Sequence, residues 1–321
     1  MPTALVTGGA GFLGSQLVDA LLARGLRVIV LDDLSTGSLD NLRHLKDEPR
    51  LRFVEHDVQT PFPDGLRSVE FDCIFNLASP ASPRHYQAQP VRTLLTNVLG
   101  TKHGLELALH TKARFFQAST SEVYGEPSQH PQHETDLGRV DASNARACYA
   151  EGKRAAETLC FDFAREHGVD VRVARLFNTY GPRMALDDGR VVSNFLVQAL
   201  RGEPLTIHGD GQQTRSFCYV TDLVEGMLAF AQRDLRTHGP INLGNPEELS
   251  VLDLATRVLR LVGSPSTLTH HAATAGDPRM RRPDIDRARE LFGFAPATSL
   301  DLGLRLTLED LRPRTTQRDA A

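Results

Sequence analysis

The stretch "TALVTGGAGFLGSQLVDALLARG", Thr3 to Gly25, decides the fold. It opens with an apolar run short enough for a buried strand. Gly8, Gly11 and Gly14 follow in GxxGxxG spacing, and Leu13, Leu17, Leu21 and Leu22 recur at helical intervals until Gly25. A second strand, "RVIVLDD", begins at once, so strand, glycine turn, helix and strand make one βαβ unit. Glycine at such a turn lets the backbone bend tightly and approach a pyrophosphate, whose charge meets the free N–H groups of the helix N-terminus. Asp32 ends the second strand, where a carboxylate accepts bonds from adenosine ribose hydroxyls and repels a ribose phosphate. NAD is therefore expected rather than NADP. The alternative reading has Asp32 and Asp33 simply opening a turn.

Outward from this unit the alternation continues through "RFVEHDV", "CIFNLAS", a helix over Asn97 to His110, "RFFQAST", a helix after Tyr149, and "VRVARLFN". Strands rich in Val, Ile, Leu and Phe with little alternation suit a parallel sheet covered on both faces. The expected fold class is α/β, a Rossmann-like doubly wound parallel sheet with a smaller C-terminal substrate-binding lobe. Residues 1–177 are assigned to the NAD-binding core and 178–321 mainly to the lobe, with about 206–240 returning to the core. Helices are expected around Leu252 to Val262 and Asp286 to Phe292, and the final "RPRTTQRDAA" reads as frayed. Asp57 in "HDV" and Leu77, Ala78 and Ser79 in "NLAS" end successive strands at one sheet edge, where adenine and the second ribose would lie.

Composition narrows the class of partner. Among 321 residues, 36 basic against 40 acidic ones give a net charge of −4, with no long block of either sign. That pattern gives no footprint for nucleic acid or an anionic membrane, and points to a small molecule. Cys73, Cys148, Cys160 and Cys218 never form a CxxC pair, so neither disulfides nor a metal site is expected. The N-terminus runs straight into a strand and no run reaches the length of a membrane span, so a cytoplasmic protein is expected.

"STSEVYG", Ser119 to Gly125, gathers hydroxyls, a carboxylate and a phenol at a strand end, which a purely structural strand does not need. Tyr149 and Lys153 are four residues apart on one helix and project from one face. A cationic lysine near a phenol favours the ionised form, so the spacing predicts a phenol pKa lowered toward that of a general base.

With "TGGAGFLG", "STSEVYG" and "YAEGK" in this order, the chain resembles the extended short-chain dehydrogenase/reductase superfamily, from about Thr3 to "RRPDIDRARELFGF". Within it, "ASPASPRHYQAQP", "STSEVYGEPSQHPQ", "ARLFNTYGPRM", "DGRVVSNFLVQALRGEPLTIHGDGQQTRSF" and "YVTDLVEG" are most similar to the UDP-glucuronate decarboxylases. The resemblance implies oxidation of the sugar at carbon 4 by NAD, with Tyr149 as base and Thr120 holding the oxygen. Loss of carbon dioxide from the β-keto acid and return of the hydride then give UDP-xylose, and the looser site suggests that part leaves earlier as UDP-4-keto-xylose. Ser121 and Glu122 would orient the sugar or a water, and Arg215 would stabilise the enolate or manage the carboxylate. Cofactor contacts are implied at Gly8, Gly11, Phe12, Leu13, Gly14, Asp32, Asp33, Ser35, Thr36, Gly37, Asp57, Val58, Leu77, Ala78, Ser79, Asn97, Tyr149 and Lys153. Substrate contacts are implied at Tyr86, Glu122, Asn178, Arg190, Val191, Asn194, Arg215 and Arg281.

Simpler structural roles stay open: a helix-end carboxylate for Glu122, a diphosphate clamp for Arg215, a turn hydroxyl for Ser121, a strand cap for Asn178, a surface charge for Arg190, core packing for Tyr86 and a solvated basic face for Arg279, Arg281 and Arg282. Departures from the family pattern are Leu95 where a lysine is usual, His103 for an asparagine, and "LGRVDASNAR" before Tyr149. These changes are expected to cluster around the sugar and loosen its site. A 4,6-dehydratase is disfavoured because serine at position 121 is a poor proton donor. A 4-epimerase comes third, and an NAD-binding regulator without turnover is the reading from another class. A homodimer packed through two helices per subunit, with Ala155, Leu159 and Phe163 outward, is implied, although the same residues suit an intrachain core.

Overall fold

The computed structural model describes residues 1–232, 239–273 and 278–319. In chain order its strands are β1 (Thr3–Thr7), β2 (Arg27–Asp32), β3 (Leu51–Glu55), β4 (Cys73–Asn76), β5 (Arg114–Thr120), β6 (Val171–Leu176), β7 (Thr179–Tyr180), β8 (Leu205–His208), β9 (Thr214–Ser216), β10 (Cys218–Tyr219), β11 (Ile241–Leu243), β12 (Glu248–Ser250), β13 (Leu268–His271) and β14 (Met280–Arg281). The helices are α1 (Phe12–Ala23), α2 (Pro83–Ala88), α3 (Pro90–Thr111), α4 (Ala147–His167), α5 (Val191–Arg201), α6 (Val220–Gln232), α7 (Val251–Val262), α8 (Asp286–Phe292) and α9 (Leu300–Asp319).

Seven strands form one parallel sheet in the order β11-β6-β5-β4-β1-β2-β3. This is the Rossmann-like doubly wound α/β fold read from the sequence. β1, β4 and β5 lie inside the sheet, and β1 is buried at every residue, which is why these segments read as continuous apolar runs. The chain reverses direction across β1 and β4, so the carboxyl ends of the strands open a crevice there. After β6 the chain alternates between short strands and helices. β11 returns to the edge of the main sheet beside β6, while β9 is flanked by β12 and β14 in a separate three-stranded sheet. Residues 233–238 of the segment read as returning to the core lie outside the described residues.

The end of the chain differs from its reading. Instead of fraying from Arg312, the chain continues in α9 through Asp319, with Leu300, Leu304, Leu308 and Leu311 buried against the core. Pro313 masked this helix, since proline inside a helix forfeits a backbone hydrogen bond. Packing compensates: a Cβ on Gly303 would lie 2.1 Å from the Tyr180 hydroxyl, so glycine is what lets α9 seat this closely.

Candidate active site

The glycine turn is built as the motif predicts. Gly8 has φ 72°, a left-handed conformation open to glycine at little cost, and a Cβ there would lie 2.8 Å from the Ala78 backbone nitrogen. A Cβ on Gly14 would lie 2.0 Å from the Gly8 carbonyl oxygen. Bare backbone therefore forms a cradle at the N-terminus of α1, the shape a diphosphate needs. At the end of β2, Asp32 is buried and accepts from the Ala10 N–H at 2.9 Å and the Leu34 N–H at 2.9 Å. Burial raises its pKa, opposed by those two bonds. A Cβ on Gly37 would come within 3.0 Å of the Asp32 carboxylate, so this glycine keeps the carboxylate's flank open.

One cavity of about 600 Å³ runs from this turn to α4, which carries Tyr149 and Lys153. It is lined by Gly8, Gly11, Phe12, Leu13, Gly14, Asp32, Asp33, Ser35, Thr36, Gly37, Val58, Leu77, Ala78 and Ser79 at one end. Thr120, Ser121, Glu122, Tyr149, Lys153, Asn178 and Arg190 line it at the other. Arg190 pairs with Asp188 at 2.6 Å and sits over the Phe12 ring at 5.7 Å, which ties it to the glycine turn.

Other expected residues lie outside this lining. Asp57 is reached through Arg92, whose Nη2 donates to Asp33 at 2.7 Å and to Asp57 at 2.9 Å. Burial opposes ionisation of Asp33, but bonds from Ser35 and Arg92 outweigh it and hold this carboxyl below its ordinary value. Asn97 is buried against Gly152, its side-chain N–H donating to the Thr93 carbonyl at 2.9 Å. Tyr86 lies under the Tyr149 ring, stacked at 5.2 Å with 2° between the planes. Val191 and Asn194 occupy the first turn of α5. Arg215 on β9 stands in register beside Arg281 on β14, its Nη1 donating to the Thr214 carbonyl at 2.7 Å.

The Tyr149 end is dominated by burial. Lys153 is buried and donates to the Ala118 carbonyl at 2.7 Å, with its Nζ 5.9 Å from the Tyr149 ring centroid. Desolvation pushes this lysine down to about 8, against the fields of Cys160 and Glu157. Tyr149 differs from expectation: burial pushes its phenol up to about 12, and the Thr120 hydrogen bond and the positive fields of Arg190 and Arg281 only partly counter that. The tyrosine–lysine spacing brought the two groups together, but it could not reveal that desolvation outweighs the positive charges around the phenol.

Glu122 sits in the short helical turn after β5, capped by the Thr120 hydroxyl, which accepts the Glu122 N–H at 3.2 Å. Its carboxylate is clasped by Arg146 at 3.2 and 3.3 Å and by Arg281. Burial would raise its pKa, yet the two guanidinium groups win and hold it below the ordinary value. Arg281 is thus not a solvated basic face.

The departures from the family pattern do not cluster around the sugar. Leu95 is exposed on α3 and absent from the cavity lining. His103 meets the Val58 carbonyl at 3.0 Å and packs beside Phe62. Of these departures, Arg146, at the end of "LGRVDASNAR", reaches the Glu122 carboxylate. Arg92, Arg146, Asn41, Arg43, Arg183, Asp310 and Arg314 were not singled out in the sequence. Arg146 had a signal, since it stands three residues before Tyr149, and Arg183 lies within "ARLFNTYGPRM"; the others come from segments without a motif. Among the described residues no group of histidine, cysteine or acidic side chains is arranged to hold a metal ion.

Comparison with known proteins agrees with this geometry. The profile of the NAD dependent epimerase/dehydratase family matches residues 4–244. UDP-glucuronic acid decarboxylase 1 of Arabidopsis thaliana is 51% identical over 316 residues, covering 98% of this chain and 71% of that protein. UDP-glucuronic acid decarboxylase 1 of Xenopus tropicalis is 47% identical over 308 residues, 96% of this chain and 72% of that one. The crystal structure of UDP-glucuronic acid 4-epimerase from Bacillus cereus, solved with UDP-glucuronic acid and NAD, superposes with a TM-score of 0.87 at 30% identity, covering 97% of this chain and 99% of that one. A glycine cradle at a helix N-terminus, a buried carboxylate at the end of β2 and a buried tyrosine–lysine pair in one cavity agree with these matches, and the chain belongs to the NAD dependent epimerase/dehydratase family, on the branch of the UDP-glucuronic acid decarboxylases.

Proposed function

We propose that the protein converts UDP-glucuronate to UDP-xylose and carbon dioxide, using NAD that is reduced and reoxidised within each turnover. The observation that carries this reading is the 51% identity to a UDP-glucuronic acid decarboxylase across 98% of the chain. When bound, NAD would supply the hydride acceptor for carbon 4 and the donor for the later reduction, and its positive charge would favour ionisation of a phenol that burial alone leaves protonated. The residues that fit it are the bare turn at Gly8 and Gly11, Asp32 for the ribose, and Lys153.

The protein's own groups do the rest. Tyr149 takes the proton of the carbon 4 hydroxyl, and Thr120 holds that oxygen. The resulting ketone is β to the carboxylate, so carbon dioxide leaves while the bonding pair is delocalised as an enolate. Glu122, kept ionised by Arg146 and Arg281, acts as an acceptor that orients a water with Ser121; that water gives carbon 5 a proton, and the hydroxide left behind takes a proton from solvent. Tyr149 then returns its proton to the carbon 4 oxygen as the hydride arrives. Serine at position 121 disfavours dehydration, and identity of 30% to the 4-epimerase against 51% to the decarboxylase ranks epimerisation lower. The intact tyrosine–lysine pair argues against a regulator without turnover.

The finer assignments are also proposals. Four free cysteines suit a reducing cytoplasm, and no described helix is long and apolar enough to cross a membrane. Homodimer formation through α3 and α4 is supported by exposed Val91, Leu95 and Leu109 on α3. On α4, by contrast, Leu159 and Phe163 pack partly against the core of their own chain. Release of UDP-4-keto-xylose finds no support at Leu95.

The test is product analysis by mass spectrometry after incubation with UDP-glucuronate and NAD, with dTDP-glucose as control. UDP-xylose and carbon dioxide are expected, and Tyr149→Phe is expected to lose about a hundredfold or more of the rate while still binding NAD. A 4-epimer of UDP-glucuronate with no carbon dioxide would sink the proposal.

A further inference from the structure

The cofactor end of the cavity carries cations that the glycine turn and Asp32 do not account for. Arg43, Arg183 and Arg314 all line it. They come from the short helical turn after β2, the loop after β7, and α9. Arg183 has φ 70°, a region unfavourable to a residue with a side chain. It is held there from α9: its own N–H donates to Asp310 Oδ2 at 3.0 Å, and the same oxygen accepts from Arg314 Nη1 at 2.7 Å. From the opposite side, Asp19 of α1 accepts from Arg183 Nη2 at 2.5 Å, and its other oxygen meets His44 Nε2 at 2.8 Å. Arg183 Nη1 is buried without a hydrogen-bond partner among the described residues. The last helix of the chain thus holds a strained, partly unsatisfied arginine at the rim of the same cavity as the diphosphate cradle.

We propose that α9, through Asp310 and Arg314, latches Arg183 against the diphosphate of the bound dinucleotide and so retains the reduced cofactor while the sugar is a ketone. The inference rests on the reading that this cavity holds NAD. Chemistry gives the latch its purpose. The hydride removed from carbon 4 must return to the same carbon, so each NADH that escapes between the two steps leaves one molecule of UDP-4-keto-xylose unreduced. Cationic groups bonded to a diphosphate in a partly desolvated rim act mainly by slowing dissociation.

The test is stopped-flow release of NADH from the full-length protein, followed by its fluorescence during a chase with excess NAD. Asp310→Ala and Arg314→Ala are expected to speed release about tenfold or more and to raise the keto-sugar formed per turnover. Arg257→Ala serves as control, because it removes the α9 pair with Asp301 at 3.2 Å, outside the cavity lining; it is expected to leave release unchanged. Arg183→Gly separates grip from strain. Glycine relieves the left-handed backbone, so the latch predicts faster release without loss of melting temperature, whereas a purely structural arginine predicts unchanged release. Unchanged release in Arg314→Ala and Arg183→Gly, both folded, overturns the latch. Failure of the unmodified protein to bind NADH at all overturns the cofactor reading as well.

Discussion

The two ends of the cavity are made of different materials. At the cofactor end, backbone does most of the recognition: Gly8, Gly11 and Gly14 keep the chain bare, and Asp32 is set by its own strand and by the N–H groups of Ala10 and Leu34. At the sugar end, side chains from remote segments converge. Glu122 follows β5, Arg146 precedes α4 and Arg281 lies on β14, 159 residues from the carboxylate it holds. The first end is a local consequence of chain shape, and the second is a charge balance that exists only when β14 and the start of α4 are packed against the turn after β5. Atoms added to backbone should therefore damage the first, and charge removed from side chains should damage the second.

Gly14→Ala puts the comparison under the heaviest load. Its Cβ would meet the Gly8 carbonyl oxygen, which cannot rotate away, so stability is expected to drop by about 3 kcal/mol and NAD binding to be lost. Thermal melting with and without NAD checks this; a variant that melts normally and still binds the cofactor breaks the claim that bare backbone is the binding element.

Glu122→Gln probes the other end, because it keeps the shape while leaving Arg146 and Arg281 without their carboxylate. The rate of carbon dioxide release is expected to fall about tenfold to a hundredfold, with NADH binding intact. If NADH binding falls in parallel, the two ends are not separable.

The smallest effect lies in the pH dependence of stability. Burial lowers the Lys153 pKa from 10.5 to about 8, so below pH 8 the lysine is charged in both folded and unfolded chains and its burial penalty is fully present. From pH 8 upward the folded chain releases a proton that the unfolded chain retains, and this group's contribution to stability rises with pH, by at most about 1.4 kcal/mol per unit. Tyr149, pushed up to about 12, acts in the opposite sense from pH 10, where the unfolded phenol ionises first. Between pH 8 and 10, then, the melting temperature of the unmodified protein should gain on that of Lys153→Met. Parallel curves would show that the lysine is not desolvated, and would bring the sugar end closer in character to the cofactor end.

Legibility in the sequence follows the same division. The βαβ unit, the glycine cradle, Asp32 and the tyrosine–lysine pair were readable because each is encoded within about one helical turn or one strand end, where period and turn chemistry act directly. Helix α9 was not, since Pro313 and Gly303 disguise a stripe of buried leucines that only packing under Tyr180 justifies. Leu95 and His103 misled for the complementary reason: a departure from a family pattern marks a position, and the fold alone determines whether that position faces the site.

By itself the sequence determined the doubly wound sheet, the dinucleotide cradle and the placement of Tyr149 beside Lys153, because local backbone geometry and side-chain spacing are short-range properties. Only the tertiary structure decided that burial raises the Tyr149 phenol, that Glu122 is held ionised between two arginines, and that Arg183 is pinned by the last helix. Desolvation and charge pairing depend on what surrounds a group in space, and those surroundings are assembled from segments more than a hundred residues apart.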